Sequence, residues 1–128
     1  MPATVGEIPA RWAAESPGRL ALTDGATRHS WKDLDHARLA WRERLAAWGV
    51  VPGDRVMVVG ENGPAMAMLL LAVTSLGAWI VNVNARLSAR EIAAIRGHSR
   101  ARRVLYLTGA SAEARAHAEG DPGAEAID

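Results

Sequence analysis

Three short apolar runs, each followed or preceded by a helical segment, predict an α/β fold with a mostly parallel sheet flanked by helices. The runs are Arg55 to Val59, Trp79 to Val83 and Val104 to Leu107. Stretches of this kind suit burial on both faces of a parallel sheet. Between them lie an almost wholly apolar segment, Ala65 to Leu76, and a segment opened by Ser88 and Glu91. Strands alternating with helices in this way form βαβ units, whose helices cover the sheet.

The elements follow in order. Glu7 to Glu15 predicts a short amphipathic helix with Ile8, Trp12 and Ala13 on one side, stopped by Ser16-Pro17-Gly18. Leu20 to Thr23 reads as a strand, Asp24-Gly25 as a hairpin turn, and Thr27 to His29 as the return. Ser30 caps the next helix, with Asp33 three residues on as the second half of a capping box. Leu34, Ala37, Trp41, Leu45 and Trp48 recur at steps of three and four and form its apolar stripe. Gly49 ends it, and Pro52-Gly53 fits the centre of a type II turn before the first parallel strand. Asp54 is placed to satisfy turn amides.

Asn62 or Gly63 caps the apolar helix, and Pro64 takes its first position. A helix apolar nearly all round has to be covered on both sides. Gly77 sits where its C-cap falls. Ser88 with Glu91 makes a second capping box, with Leu87 and Ile92 as a hydrophobic staple, for a helix running to about Arg96. Ala110 to Ala118 reads as a weak helix and Gly120-Asp121-Pro122-Gly123 as a breaker. The organisation expected is therefore one α/β segment over 1–109 and an exposed tail or linker over 110–128.

Bulk properties narrow the function. The 128 residues suffice for one domain that buries roughly two-thirds of its unfolded surface. A net charge of +1 sets up no broad field for nucleic acid or an anionic membrane. With no cysteine there is neither a disulfide framework nor a thiolate metal site, which fits a cytoplasmic protein. Glu7 and Pro9 interrupt any leader-like apolar run at the start. Ala65 to Val81 is uncharged but seventeen residues long, short of the roughly 20 a spanning helix needs. Gly77 and the alternating residues after it divide the segment into a buried helix and a buried strand, so no membrane span is expected.

Several segments together resemble a known family. Pro17-Gly18-Arg19-Leu20-Ala21-Leu22 leads into a strand, and Ser30-Trp31-Lys32-Asp33-Leu34 opens a helix. Gly49-Val50-Val51-Pro52-Gly53-Asp54-Arg55-Val56 follows, and then Asn84-Ala85-Arg86-Leu87-Ser88. In this order and spacing, from about residue 7 to 107, they resemble the N-terminal part of the adenylate-forming ligases. That superfamily includes acyl-CoA synthetases, aryl-CoA ligases, luciferases and peptide-synthetase adenylation domains. The first two segments match by conservative change, the third residue for residue, and the fourth with alanine where the family has proline. The resemblance implies the N-terminal fragment of the ligase large domain. It further implies a parent enzyme that uses ATP, Mg and coenzyme A to turn a fatty or aryl acid into a thioester through an acyl-adenylate. The family's phosphate-gripping loop, Ser/Thr/Gly-rich and ending in lysine, is expected beyond this segment. Leu107-Thr108-Gly109-Ala110-Ser111 lacks that lysine and reads as a strand exit. No catalytic residue is carried onto this chain, which by itself is expected to bind no cofactor and to be inactive. The partner implied is the remainder of the ligase, with self-association of the isolated chain through exposed apolar surface. The alternative is a free-standing α/β binding or association domain.

Four residues are candidates for contact with a ligand. Glu61 and Asn62 follow one parallel strand, and Asn84 and Arg86 follow the next. All four fall at the carboxyl edge, where open α/β sheets bind ligands. Three also have a plainer reading: a helix cap and solvated carboxylate for Glu61 and Asn62, and an ion pair with a neighbouring acid for Arg86. His29, His36, His98 and His117 show no metal-ligand spacing. Arg96, Arg100, Arg102 and Arg103 form a basic cluster, read as a solvated helix end that favours the helix dipole. No aromatic residues interleave with it, so no nucleic-acid surface is expected.

Overall fold

A computed structural model describes residues 4–109, 111–121, 123 and 125–127. A 3-10 turn, Val5–Glu7, runs into α1 (Ile8–Glu15). β1 (Leu20–Asp24) and β2 (Thr27–Ser30) form an antiparallel hairpin that leads into α2 (Trp31–Ala47). Then come β3 (Arg55–Gly60), α3 (Pro64–Ser75), β4 (Trp79–Asn84), α4 (Ala89–Ser99), β5 (Arg103–Leu107), α5 (Ala112–Glu119) and β6 (Glu125–Ile127). β3 to β6 make one parallel sheet in the order β4-β3-β5-β6.

Local chemistry accounts for the element boundaries. Ser30 Oγ accepts from the Asp33 N–H at 3.1 Å, and the Asp33 carboxylate accepts from the Ser30 N–H at 2.9 Å. Ser88 and Glu91 repeat the arrangement at 3.2 and 2.8 Å. Bonds from the serine backbone N–H, then from its hydroxyl, hold both carboxyls below their ordinary values of 3.8 and 4.5. Gly49 and Gly53 adopt φ of +87° and +88°, which glycine tolerates best. The turn between them closes with the Asp54 N–H donating to the Val51 carbonyl at 3.0 Å. Asp54 Oδ2 accepts from the Val51 N–H at 2.9 Å, the turn role expected of it.

Alternation along the strands divides the core into two layers. Val56, Val58, Leu105 and Leu107 join Leu45, Met66, Leu69 and Val73 beneath α2 and α3. Met57, Val59, Val104 and Tyr106 face the other way and pack with Ile92 of α4 and Ala114 of α5.

The apolar helix α3 is covered on both sides, and Ala65 is its one exposed residue. One side meets the sheet. The other meets α2 and the N-terminal turn, where Gly6 lies so close that a β-carbon there would stand 2.3 Å from the Leu71 carbonyl oxygen. Thr74 and Ser75 donate their hydroxyls to the carbonyls of Leu70 and Ala72, at 2.8 and 2.7 Å. No helix among the described residues is long and apolar enough to cross a membrane.

Three expectations meet a different arrangement. In α1 the buried residue is Pro9, while Ile8 is exposed and Trp12 stacks on Trp31 with ring centroids 6.1 Å apart. The preceding turn, pinned by Gly6, brings Pro9 inward. In α2 the apolar stripe also contains Arg38, which is 5% exposed and pairs with Asp35 at 2.7 Å. Over 110–128 there is no exposed tail among the described residues. Ser111 Oγ caps α5 through the Ala114 N–H at 3.0 Å, Ala114 and Ile127 are buried, and β6 pairs with β5. Three residues are too few to show a period, but they occupy the open edge of β5. Ala110, Pro122, Ala124 and Asp128 lie outside the described residues.

Candidate functional site at the carboxyl edge of the sheet

β3 and β4 run side by side and release their chains at the same edge, with Gly60 opposite Asn84. Gly60 is buried because a β-carbon there would meet the Leu107 side chain at 2.7 Å. The loop after β4 is built by Asn84, whose Oδ1 accepts from the Arg86 N–H at 2.9 Å in an Asx turn. That turn sends the Arg86 side chain back across to Glu61, where Nε donates to Oε1 at 3.1 Å. Glu61, Asn62, Asn84 and Arg86 therefore line one cleft of about 470 Å³, floored by Gly60, Met66 and Val83. All four sequence candidates come together, and Arg86 finds its partner in Glu61.

The loop has a further support that the sequence reading missed. His117 of α5 sets its Nε2 at 3.0 Å from the carbonyl oxygens of both Ala85 and Leu87. Two acceptors at one nitrogen require the proton on Nε2. No motif links position 117 to positions 85 and 87, so nothing in the sequence signals the contact.

The chain also changes direction at this edge. After β3 it moves to β4 on one side, and after β5 it moves to β6 on the other. The crevice between β3 and β5 is thus the topological switch point of the sheet, the favoured binding place in open α/β folds. A hollow of about 210 Å³ lies there, lined by Asp24, Glu61, Asn62, Gly109, Ser111 and Ile127 among others. It adjoins the larger cleft through Glu61, Asn62 and Met66. Ser111, read from the sequence as part of a strand exit, is the N-cap of α5. Nothing in the sequence links it, or Asp24 of the hairpin, to this hollow.

The described residues do not fit a nucleotide triphosphate or its metal. Two carboxylates, Asp24 and Glu61, line the hollow, and the cation of the cleft, Arg86, is already paired. The N-cap of α3 is Gly63, which offers no side-chain bond. Two strand exits and an exposed ion pair make a scaffold edge that can be reached by ligand or polypeptide, with no lysine among its described lining residues.

The basic cluster separates into distinct tasks. Arg96 pairs with Asp121, which also accepts from the Tyr106 hydroxyl at 3.1 Å. Burial first, and then the Asp121 carboxylate, raise the Tyr106 hydroxyl to about 12. Arg103 donates to the Trp48 carbonyl through Nε at 3.2 Å and a terminal nitrogen at 2.7 Å. Arg100 ends α4 in the left-handed conformation, φ 52°.

Comparison with known proteins adds a family. The family model described as AMP-binding enzyme matches residues 9–127. A feruloyl-CoA synthase of Amycolatopsis sp is 40% identical over 90 residues, which are 69% of this chain and 18% of that protein. A 2-succinylbenzoate–CoA ligase of Geobacillus kaustophilus is 34% identical over 77 residues, 60% of this chain and 16% of the other. Among solved structures, a fatty acyl CoA synthetase of Mycobacterium tuberculosis superposes with a TM-score of 0.84 at 22% identity, covering 97% of this chain and 26% of its own. Klebsiella oxytoca NpsA, in complex with 3-hydroxyanthranilyl-AMSN, gives 0.75 at 24% identity over 82% and 22%. At those identities the structural likeness concerns the fold. The chain spans less than a fifth of the length of the curated relatives it matches.

Proposed function

Because the chain belongs to the AMP-binding enzyme family, we propose that it is the N-terminal part of an ATP-dependent carboxylic acid–CoA ligase and that it is inactive alone. The observation that carries this reading is the family match over 9–127 combined with a carboxyl edge whose described lining holds no lysine and pairs its one arginine with Glu61. Such a segment supplies scaffold beneath the reacting groups, while ATP, Mg and coenzyme A are held by the remainder of the ligase. The acid is fatty or aryl, and the 40% identity to a feruloyl-CoA synthase favours an aryl acid. A cytoplasmic setting fits the absence of cysteine. Without the remainder, the chain self-associates through its exposed apolar residues, among them Trp79, Val51 and Leu39. A sedimentation profile that stays monomeric at every concentration would contradict that last point.

A second reading, a free-standing binding domain, draws on the covering of α3, since the chain buries its most apolar helix by itself. One experiment separates the two. The native gene is read past codon 128, and both its product and the 128-residue chain are assayed for acid-dependent pyrophosphate exchange into ATP. Exchange by a longer product with an aryl or fatty acid, and none by the short chain, supports the ligase. A reading frame that stops at codon 128 refutes it.

A further inference from the structure

The sheet has two edges, and they are protected differently. β6 carries a charge on its edge, Glu125. β4 is six residues long, reads Trp-Ile-Val-Asn-Val-Asn without charge or proline, and pairs with β3 in an unbroken register. Folded proteins blunt open edges with charge, proline, bulges or shortness. The β1–β2 hairpin does so with Arg28 and a register shift between Leu20 and Leu22. β4 has none of these devices.

The open side of β4 can be assigned atom by atom. The Trp79 N–H donates to Asp54 at 2.8 Å, and the Ala85 N–H donates to Gly60 at 3.1 Å. Alternation between these two points directs the N–H groups of residues 79, 81, 83 and 85 toward β3. Those of Ile80, Asn82 and Asn84 point outward. Beside this row stands Trp79, 69% exposed, the most exposed large apolar side chain among the described residues.

Resting on the ligase reading above, we infer that the β4 edge is a docking strand for an extended segment of the remaining ligase polypeptide, with Trp79 as its apolar anchor. Polypeptide is available for this, since the relatives are several times longer than the matched region. An uncharged edge with free main-chain groups is suited to strand addition, in which backbone bonds supply affinity and a flanking side chain supplies the contact. A second copy of the chain is the competing occupant.

The test is hydrogen exchange at single-amide resolution on the product of the uninterrupted gene and on the 128-residue chain, the latter diluted to monomer. The amides of Ile80 and Asn82 are expected to exchange on the order of 100-fold more slowly in the longer product, those of residues 79, 81 and 83 changing less. The substitution Trp79→Ala provides a second reading. It is expected to leave the melting temperature of the short chain within about 1 °C and to lower that of the longer product by about 3 °C. Equal exchange of Ile80 and Asn82 in the two proteins, or equal thermal shifts, overturns the inference. Protection in the longer product that appears only at high concentration also overturns it, by assigning the edge to a second copy. A gene that ends at codon 128 removes the proposed function itself, whereas a longer product with fast outer amides removes only the docking strand.

Discussion

The two faces of the parallel sheet are held by different physics. Under α2 and α3 lie Leu45, Leu69, Val56, Val58 and Val73, all fully buried, and the layer is almost entirely aliphatic. Under α4 and α5 the apolar layer is thinner and contains Ala85, Ala114 and Tyr106. That face is closed by directional contacts, with Asp121 joining Arg96 and Tyr106 while His117 ties α5 to the loop before α4. Aliphatic packing responds to volume and hardly to pH, whereas polar clasps respond to charge and hardly to volume. The carboxyl-edge loops are thus carried between an aliphatic layer and one closed by polar contacts.

This contrast can be broken most forcefully on the aliphatic side. Leu69→Ala should cost about 3 kcal/mol of unfolding free energy in urea titrations, because the closely packed layer cannot collapse around the void. A loss below about 1 kcal/mol would show that α3 is loosely packed despite its burial.

The polar face offers a sharper probe, because Tyr106 is the only tyrosine of the chain. Tyrosinate absorbance therefore reports this one hydroxyl, and its midpoint should lie near 12 in the folded protein against an ordinary 10.0. A hydroxyl raised by folding stabilises the protein at pH values below 10, and that contribution is lost as pH climbs from 10 toward 12. Asp121→Asn removes the charge that opposes ionisation. It should draw the midpoint down toward 10 and cost about 1 kcal/mol. An unmoved midpoint would assign the whole shift to burial.

At the helix start that follows the cleft loop, Ser88→Ala should cost about 1 kcal/mol, read from urea midpoints. Its partner Glu91 has a folded value depressed below 4.5, so the box stabilises above that pH and fades as pH falls through the depressed value. The serine variant should therefore differ least from the parent in acid. Smallest of all, Glu61→Gln should change stability by no more than about 0.5 kcal/mol, since its Arg86 partner is 72% exposed. A larger loss would mean that the ion pair is structural rather than an open part of the cleft.

The sequence foretold most where a residue's neighbours are also its partners. Ser30 with Asp33, Ser88 with Glu91 and the Pro52-Gly53 turn are local devices, and each appears with its expected bonds or backbone. The four cleft residues were within reach because strand ends in a parallel sheet share an edge, so Asn84 had to lie near Glu61 once both strands were recognised. The features missed are those set by packing across long separations. Arg38 is buried in a helix whose periodicity marks only its apolar stripe, and β6 is too brief to declare itself. The hollow at the switch point depends on strand order, since Asp24 and Ser111 meet Glu61 only after the sheet has formed.

The strand order carries a consequence for how the molecule is made. β3 is the first strand of the sheet to leave the ribosome, yet it ends between two others, with β4 added to one flank, β5 to the other and β6 outside β5. Every strand after the first joins an edge that is already open, and none has to be inserted between partners that have paired. The sheet can therefore grow outward during synthesis, each βα unit closing a short loop before the next emerges. The outer strand on one side carries a charge, Glu125, while β4 on the other side is uncharged and open to whatever is synthesised later.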